Sequence, residues 1–240
     1  MDLNDVTVLV LAGGKGTRLA ELTVKTPKPL LPVGNKPFIS ILIHYLRKNG
    51  FQKIALSLCY HPENFINSLS EIYPELEFIT ENEPLGTGGG ILYGLQFIKT
   101  NWVLILNGDS VLDINYAKFA TDYMSQEKAS VVIACSEVKQ QNRYGFINIS
   151  NSLVTGFEEK PQDPKDGLIN AGIYLIRKNV LRNFAIKACS FETDILPELI
   201  RMGVVWGIKY SEKFIDIGTP DDYLHAAQKL NEMKNFKADL

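Results

Sequence analysis

The chain has 240 residues, 45% of them apolar and 22% charged. These proportions suit a globular α/β domain large enough to bury its own core. A net charge of −2 excludes a general nucleic-acid or membrane-surface binder, which carries a basic excess.

Val6 to Leu11 is an apolar, β-branched run that stops at Ala12-Gly13-Gly14. It reads as a buried parallel strand entering a tight loop. The run Val6 to Ala12 is too short for a signal peptide or a membrane span. Phe38 to Lys48 has helical spacing and stops at Asn49-Gly50. Strands are expected at Lys53 to Leu58, Leu76 to Thr80, Trp102 to Leu106 and Ser130 to Cys135. Helices are expected after Pro62, over Gly90 to Lys99 and over Tyr116 to Met124. This alternation predicts a doubly wound, mostly parallel sheet with helices on both faces. Beyond Gln140 the rhythm changes. Tyr144 to Ile149 and Leu153 to Phe157 flank Ser150-Asn151-Ser152, a hairpin pattern. A strand over Leu168 to Ile176, a helix over Asp194 to Met202 and a strand over Val204 to Tyr210 follow. The last helix opens with Thr219 as cap, Pro220 in the first turn, and Asp221 and Asp222 at the positive end of the dipole. No linker or repeat interrupts the chain, so one domain is expected over 1–240, its sheet mixed in the second half, which folds onto the first.

Cys59, Cys135 and Cys189 stand far apart with no CxxC pair. They read as reduced packing thiols of a cytoplasmic protein. His44, His61 and His225 form no metal-ligand pattern. No Ser/His/Asp or Cys/His nucleophile set is evident.

The first loop, Leu11-Ala12-Gly13-Gly14-Lys15-Gly16-Thr17-Arg18, offers glycines that let backbone N–H groups approach an anion. Arg18 adds a planar fork suited to phosphate. Lys28 lies between Pro27 and Pro29, which stiffen its segment. A Rossmann dinucleotide loop would need a third glycine where Leu19 stands. A P-loop would need a Gly-Lys-Ser/Thr that is absent. Asp109 follows an apolar strand, where a carboxylate suits Mg²⁺.

The segment from Leu11 to Val33 resembles the signature of the sugar nucleotidylyltransferases. The likeness continues through Glu83-Pro84-Leu85-Gly86-Thr87-Gly88-Gly89, Asn107-Gly108-Asp109, Tyr144-Gly145, Glu159-Lys160-Pro161, Asn170-Ala171-Gly172 and Asp216-Ile217-Gly218-Thr219-Pro220. It implies a Rossmann-like, GT-A-like α/β fold. Residues 1–140 would mainly hold the nucleotide and 141–240 the sugar phosphate. The loop residues Leu11, Ala12, Gly13, Gly14, Gly16 and Thr17 would hold the nucleoside triphosphate, with Arg18 and Lys28 on its phosphates. Asp109 and Asp216 would bind Mg²⁺. Lys160 would meet the phosphate of a sugar 1-phosphate. Tyr144, Gly145, Glu159, Asn170 and Gly172 would meet the sugar. Relatives form various homo-oligomers, and the resemblance allows one here.

The Glu83 segment would face the base, with Gly88 and its neighbouring glycines permitting close approach of a flat ring. Guanine offers two donors on one edge, and an acceptor-only carboxylate suits it. Glu83 therefore favours GTP. Within the family, the segment 83–89 and the short length are most similar to D-glycero-α-D-manno-heptose 1-phosphate guanylyltransferases. Mannose 1-phosphate guanylyltransferases and amino-sugar 1-phosphate uridylyltransferases remain alternatives. A regulatory nucleotide-sugar binder is a rival of another class, but one would expect it to have lost Arg18, Lys28 or an aspartate. A glycosyltransferase would want an Asp-x-Asp motif that Asp109-Ser110-Val111 does not supply.

Overall fold

The computed structural model describes residues 2–126 and 128–236, without the side chains of Thr17, Ala20 and Glu21. The chain begins with β1 (Val6–Leu11), buried along nearly its whole length as a central parallel strand must be. A small ribbon, β2 (Pro32–Val33) and β3 (Lys36–Pro37), leads into α1 (Phe38–Lys48). This helix has the predicted bounds. Gly50, at φ +94, turns the chain out of it. Then come β4 (Ile54–Leu58), α2 (Pro62–Leu69), β5 (Glu77–Thr80) and α3 (Gly86–Gly94). β6 (Trp102–Asn107), β7 (Ser110–Leu112) and α4 (Tyr116–Met124) follow.

The second part opens with β8 (Val131–Gln141), which runs past its predicted end. The hairpin β9 (Phe146–Ser150) and β10 (Leu153–Glu158) and the long β11 (Lys165–Arg177) come next. A π-helical turn, Phe191–Ile195, precedes α5 (Leu196–Arg201). The chain ends through β12 (Val205–Tyr210), β13 (Phe214–Asp216) and α6 (Pro220–Asn231). Thr219 caps α6 by accepting from the Asp222 N–H, as its sequence position predicts.

Nine strands form one sheet in the order β5-β4-β1-β6-β11-β8-β12-β10-β9. β5, β4, β1 and β6 are parallel, as are β8 and β12. β11 runs antiparallel to both β6 and β8, and β10 to both β12 and β9. The sheet is therefore mixed in its second half, as the change of rhythm beyond Gln140 leads one to expect. The hairpin returns the chain from the far side, so β11 enters the sheet against the direction of its neighbours.

Strand residues alternate between two cores. Val8, Val10, Leu104 and Leu106 face α1, α2, α4 and α6. Leu9, Val103 and Ile105 face α3 and α5. Helices thus cover both faces.

The C-terminal segment after α6 is held by Asp113. Its carboxylate, 8% exposed, accepts from the backbone N–H groups of Lys234 (2.7 Å) and Asn235 (2.8 Å) and from Asn235 Nδ2 (2.9 Å). Phe236 then packs its ring on Tyr45. Asp113→Ala is expected to cost about 2–3 kcal/mol, because the donors lose a charged acceptor. Calorimetry should show a melting temperature lower by about 5–10 °C for a chain of this size. An unchanged melting temperature would mean that the segment is held by its apolar contacts alone.

Candidate active site

From β1 the chain winds outward through β4 and β5, then returns on the other side of β1 as β6. The loops leaving the C-terminal ends of these strands meet where the winding reverses. Open α/β sheets bind ligands at such a reversal. A cleft of about 990 Å³ lies there, continued by β7, β11, β13 and the turn after β10.

The loop after β1 is pinned on both sides. Ala12 N–H donates to Ser57 O and Gly108 N–H donates to Leu11 O, each at 2.9 Å. A Cβ on Gly13 would lie 2.9 Å from Cys59 N, so only glycine lets the loop approach β4 this closely. Leu11, Ala12, Gly13, Gly14 and Gly16 all line the cleft. Arg18 is exposed there, and so is Lys15, which the sequence did not single out. Thr17 was also expected here, but its side chain lies outside the described ones.

Asp109 and Asp216 are brought together by the β7–β13 ribbon. Asp216 is registered against Ser110, and Ile217 N–H donates to Asp109 O at 3.0 Å. Lys28 rises from a buried 3₁₀ turn, Lys28–Leu30. Its Nζ lies 2.6 Å from Asp109 Oδ2 and 3.5 Å from Asp216 Oδ1. Burial, then the charge of Asp109, pushes the Asp216 carboxyl above the usual carboxylate range, against the pull of Lys28 and Arg143. Among the described residues no three His, Cys, Asp or Glu side chains cluster as metal ligands. The donor set is two carboxylates open to the cleft. That fits Mg²⁺, which takes one or two carboxylates and completes its shell with phosphate and water oxygens.

Across the cleft, Asn170 N–H donates to Gly145 O at 2.9 Å. A Cβ on Gly145 would strike the Phe157 ring at 2.3 Å. Glu159 and Lys160 form an ion pair of 2.5 Å beyond β10, with Lys160 at φ +40. The Tyr144 ring stands edge-on to Phe214. Its hydroxyl accepts from Arg143 Nη2 at 2.9 Å, and burial raises its pKa above the ordinary phenolic value. Arg143 also donates to Asp222 Oδ2 at 2.6 Å, tying the start of α6 to the cleft wall. Tyr144, Gly145, Glu159, Lys160 and Asn170 line this side.

Three expected residues lie elsewhere. Glu83 is exposed and outside the cleft wall. The carboxylate in the wall is Glu81, 8% exposed, which accepts from Ser57 Oγ (3.0 Å) and Leu85 N–H (3.1 Å). Period-two alternation was the available signal, since buried Ile79 and Glu81 lie two apart. Gly88 is buried inside α3. A Cβ there would lie 2.8 Å from Cys189 Sγ, so its glycine serves packing. Gly172, at φ +70, is pressed against Asn107, where a Cβ would lie 2.3 Å from Nδ2. Arg143 and Glu192 line the cleft without having been singled out. The adjacent Tyr144-Gly145 was the only sequence signal for Arg143. Glu192 had none.

Residues 7–233 match the family model described as nucleotidyl transferase. The D-glycero-α-D-manno-heptose 1-phosphate guanylyltransferase of Campylobacter jejuni is 35% identical over 90% of this chain and 96% of its own. That of Aneurinibacillus thermoaerophilus is 33% identical over 92% and 97%. The crystal structure of HddC from Yersinia pseudotuberculosis, complexed with GMP-PN, superposes with a TM-score of 0.82. It is 36% identical and covers 93% of this chain and 98% of that one. The chain belongs to the nucleotidyl transferase family. It is an enzyme, a nucleotidyltransferase with a mixed α/β fold.

Proposed function

We propose that this protein transfers a guanylyl group from GTP to a sugar 1-phosphate, D-glycero-α-D-manno-heptose 1-phosphate in the first instance, releasing pyrophosphate. The observation that carries the reading is the Lys28–Asp109–Asp216 cluster beside the glycine-rich loop in one cleft. The names of the relatives, heptose and mannose 1-phosphate guanylyltransferases, support the substrates.

The sugar phosphate needs no general base near neutral pH, because a phosphate monoester's second pKa is about 6. Its anionic oxygen attacks the α-phosphorus in line. The bond from that phosphorus to the bridging oxygen breaks, and pyrophosphate leaves with the electron pair. The barrier is repulsion between polyanions. One like-charge pair at 4 Å costs about 4 kcal/mol at an effective dielectric of 20. Arg18 and Lys28 offset this on the triphosphate side, and Lys160 does so on the sugar phosphate. Asp109 and Asp216 would hold Mg²⁺, which would supply further positive charge at the phosphates. The loop after β1 orients the triphosphate, and Gly145, Glu159 and Asn170 orient the sugar. Residues 1–140 then mainly serve the nucleotide and 141–240 the sugar phosphate. The free thiols Cys59, Cys135 and Cys189 support a reducing, cytoplasmic setting. No helix among the described residues is long and apolar enough to cross a membrane.

Glu81 takes the base-reading role that the sequence suggested for Glu83. A carboxylate accepts from both N1–H and the exocyclic amine of guanine, whereas a glutamine offers one acceptor and one donor. Glu81→Gln is expected to lower kcat/KM for GTP about 10- to 100-fold, with a smaller change for UTP. Equal losses for both would remove Glu81 from base selection. The reading as a whole is tested by pyrophosphate release with Mg²⁺ across five nucleoside triphosphates, each paired with heptose, mannose, glucose and N-acetylglucosamine 1-phosphates. Release confined to GTP with the heptose phosphate is expected. Another productive pair would keep the chemistry and replace the substrates.

A further inference from the structure

Tyr174 lies in β11, wholly buried, with its ring edge-on to Phe191 at a centroid distance of 4.9 Å. Its hydroxyl belongs to a chain of hydrogen bonds that crosses the floor of the cleft. At one end is Glu192, in the π-helical turn. Its carboxylate accepts from Tyr174 Oη (2.9 Å), Thr87 Oγ1 (2.7 Å) and Ser190 Oγ (3.1 Å). Three converging hydroxyl donors suit an ionised carboxylate, which can only accept. The Tyr174 proton is therefore committed to Glu192. Burial, then the charge of Glu192, holds this hydroxyl's pKa well above the ordinary value, so it keeps that proton.

The Tyr174 oxygen is left as an acceptor, and it takes the Asn170 side-chain amide at 2.6 Å. The other end of that amide, Oδ1, accepts from Gly172 N–H at 3.0 Å. The register of β11 shifts between Asn170 and Tyr174, and Gly172 sits in the shift at φ +70. This irregularity lets Asn170 reach Tyr174. An asparagine amide has nearly the same shape either way round but opposite polarity. Here the orientation is fixed at both ends. Turned over, the amide oxygen would face the Tyr174 lone pairs, and the amide nitrogen would face the Gly172 N–H. One N–H and one oxygen lone pair of Asn170 remain for the cleft, with their positions set.

We infer that Tyr174, held by Glu192, is a positioning residue that fixes the polarity Asn170 presents to the sugar, and so sets discrimination between sugar 1-phosphates. This rests on the proposal that the Asn170 side of the cleft holds the sugar.

The test is Tyr174→Phe in the full chain, which removes one oxygen and keeps the ring. Kinetics are read with whichever nucleotide and sugar 1-phosphate the wild type uses best, and with a sugar epimer. The KM for the sugar phosphate is expected to rise about tenfold, the worth of one or two neutral hydrogen bonds. The KM for the nucleotide should stay put, and the preference over the epimer should shrink. In an Asn170→Ala background the same change should add nothing, because Tyr174 acts through Asn170. Equal rises in both constants, or multiplying losses in the double variant, would overturn the inference. A readout that does not depend on turnover is the Asn170 side-chain amide in ¹⁵N-labelled protein, assigned with Asn170→Ala. Its proton pair should shift and exchange faster in Tyr174→Phe. An amide signal that ignores the substitution would refute the positioning role even if the wild type turned over none of the tested pairs. Such silence would instead count against the sugar 1-phosphate reading.

Discussion

Asp109→Asn is expected to lower kcat about 10²- to 10³-fold, the usual cost of losing one preorganised electrostatic group in an active site. The substitution keeps the shape of the side chain and removes its charge. Asp109 ends the loop after β6, with its side chain 36% exposed and Lys28 Nζ at 2.6 Å. Lys28 keeps Asp216 as a partner at 3.5 Å, so the fold should survive and the melting temperature should move little. Mg²⁺ affinity, measured by activity titration, should fall together with turnover. Wild-type turnover in the Asp109→Asn enzyme would take Asp109 out of the metal site. An unfolded variant would show that the Lys28 pair is structural.

Lys28→Met is expected to cost a similar factor, about 10²- to 10³-fold in turnover. Methionine keeps most of the aliphatic stem inside the buried turn and deletes the ammonium. Two carboxylates then face each other without their shared cation, and the triphosphate loses a positive neighbour. Lys28→Arg should restore little. A guanidinium is planar and wide, whereas the site holds a compact point charge between two carboxylates, 2.6 Å from Asp109 Oδ2 and 3.5 Å from Asp216 Oδ1. Full activity in the Arg variant would show that any positive charge near the carboxylates is enough.

Much of this arrangement is legible in the chain. The apolar run at Val6 and the helical periods at Phe38 and Tyr116 set their elements to within a residue, because burial on a regular backbone leaves a period. The glycine-rich loop, Lys28 and both aspartates also stood out, since each belongs to a short contiguous pattern. The spacing predicts a helix over Gly90 to Lys99, yet α3 spans Gly86–Gly94. Glycine propensity argues against a helix there. The segment 187–191 overrides it by packing so close that side chains at Gly86, Gly88 or Gly89 would collide with it. The sequence points to Glu83, yet the acid in the cleft wall is Glu81, because a side chain at a strand end follows the strand's alternation for one more residue. Glu192 emerges from a π-helical turn, which has no sequence period.

The β7–β13 ribbon also bears on how the enzyme is made. Asp216 is translated long after Asp109, when β1 to β12 have been synthesised and β13 is being completed. A domain folds as a unit, and α6 residues Ala226 and Leu230 pack in the same core as Val8 and Val10 of β1. The second carboxylate and part of the core that supports the first loop therefore arrive together, at the end of synthesis.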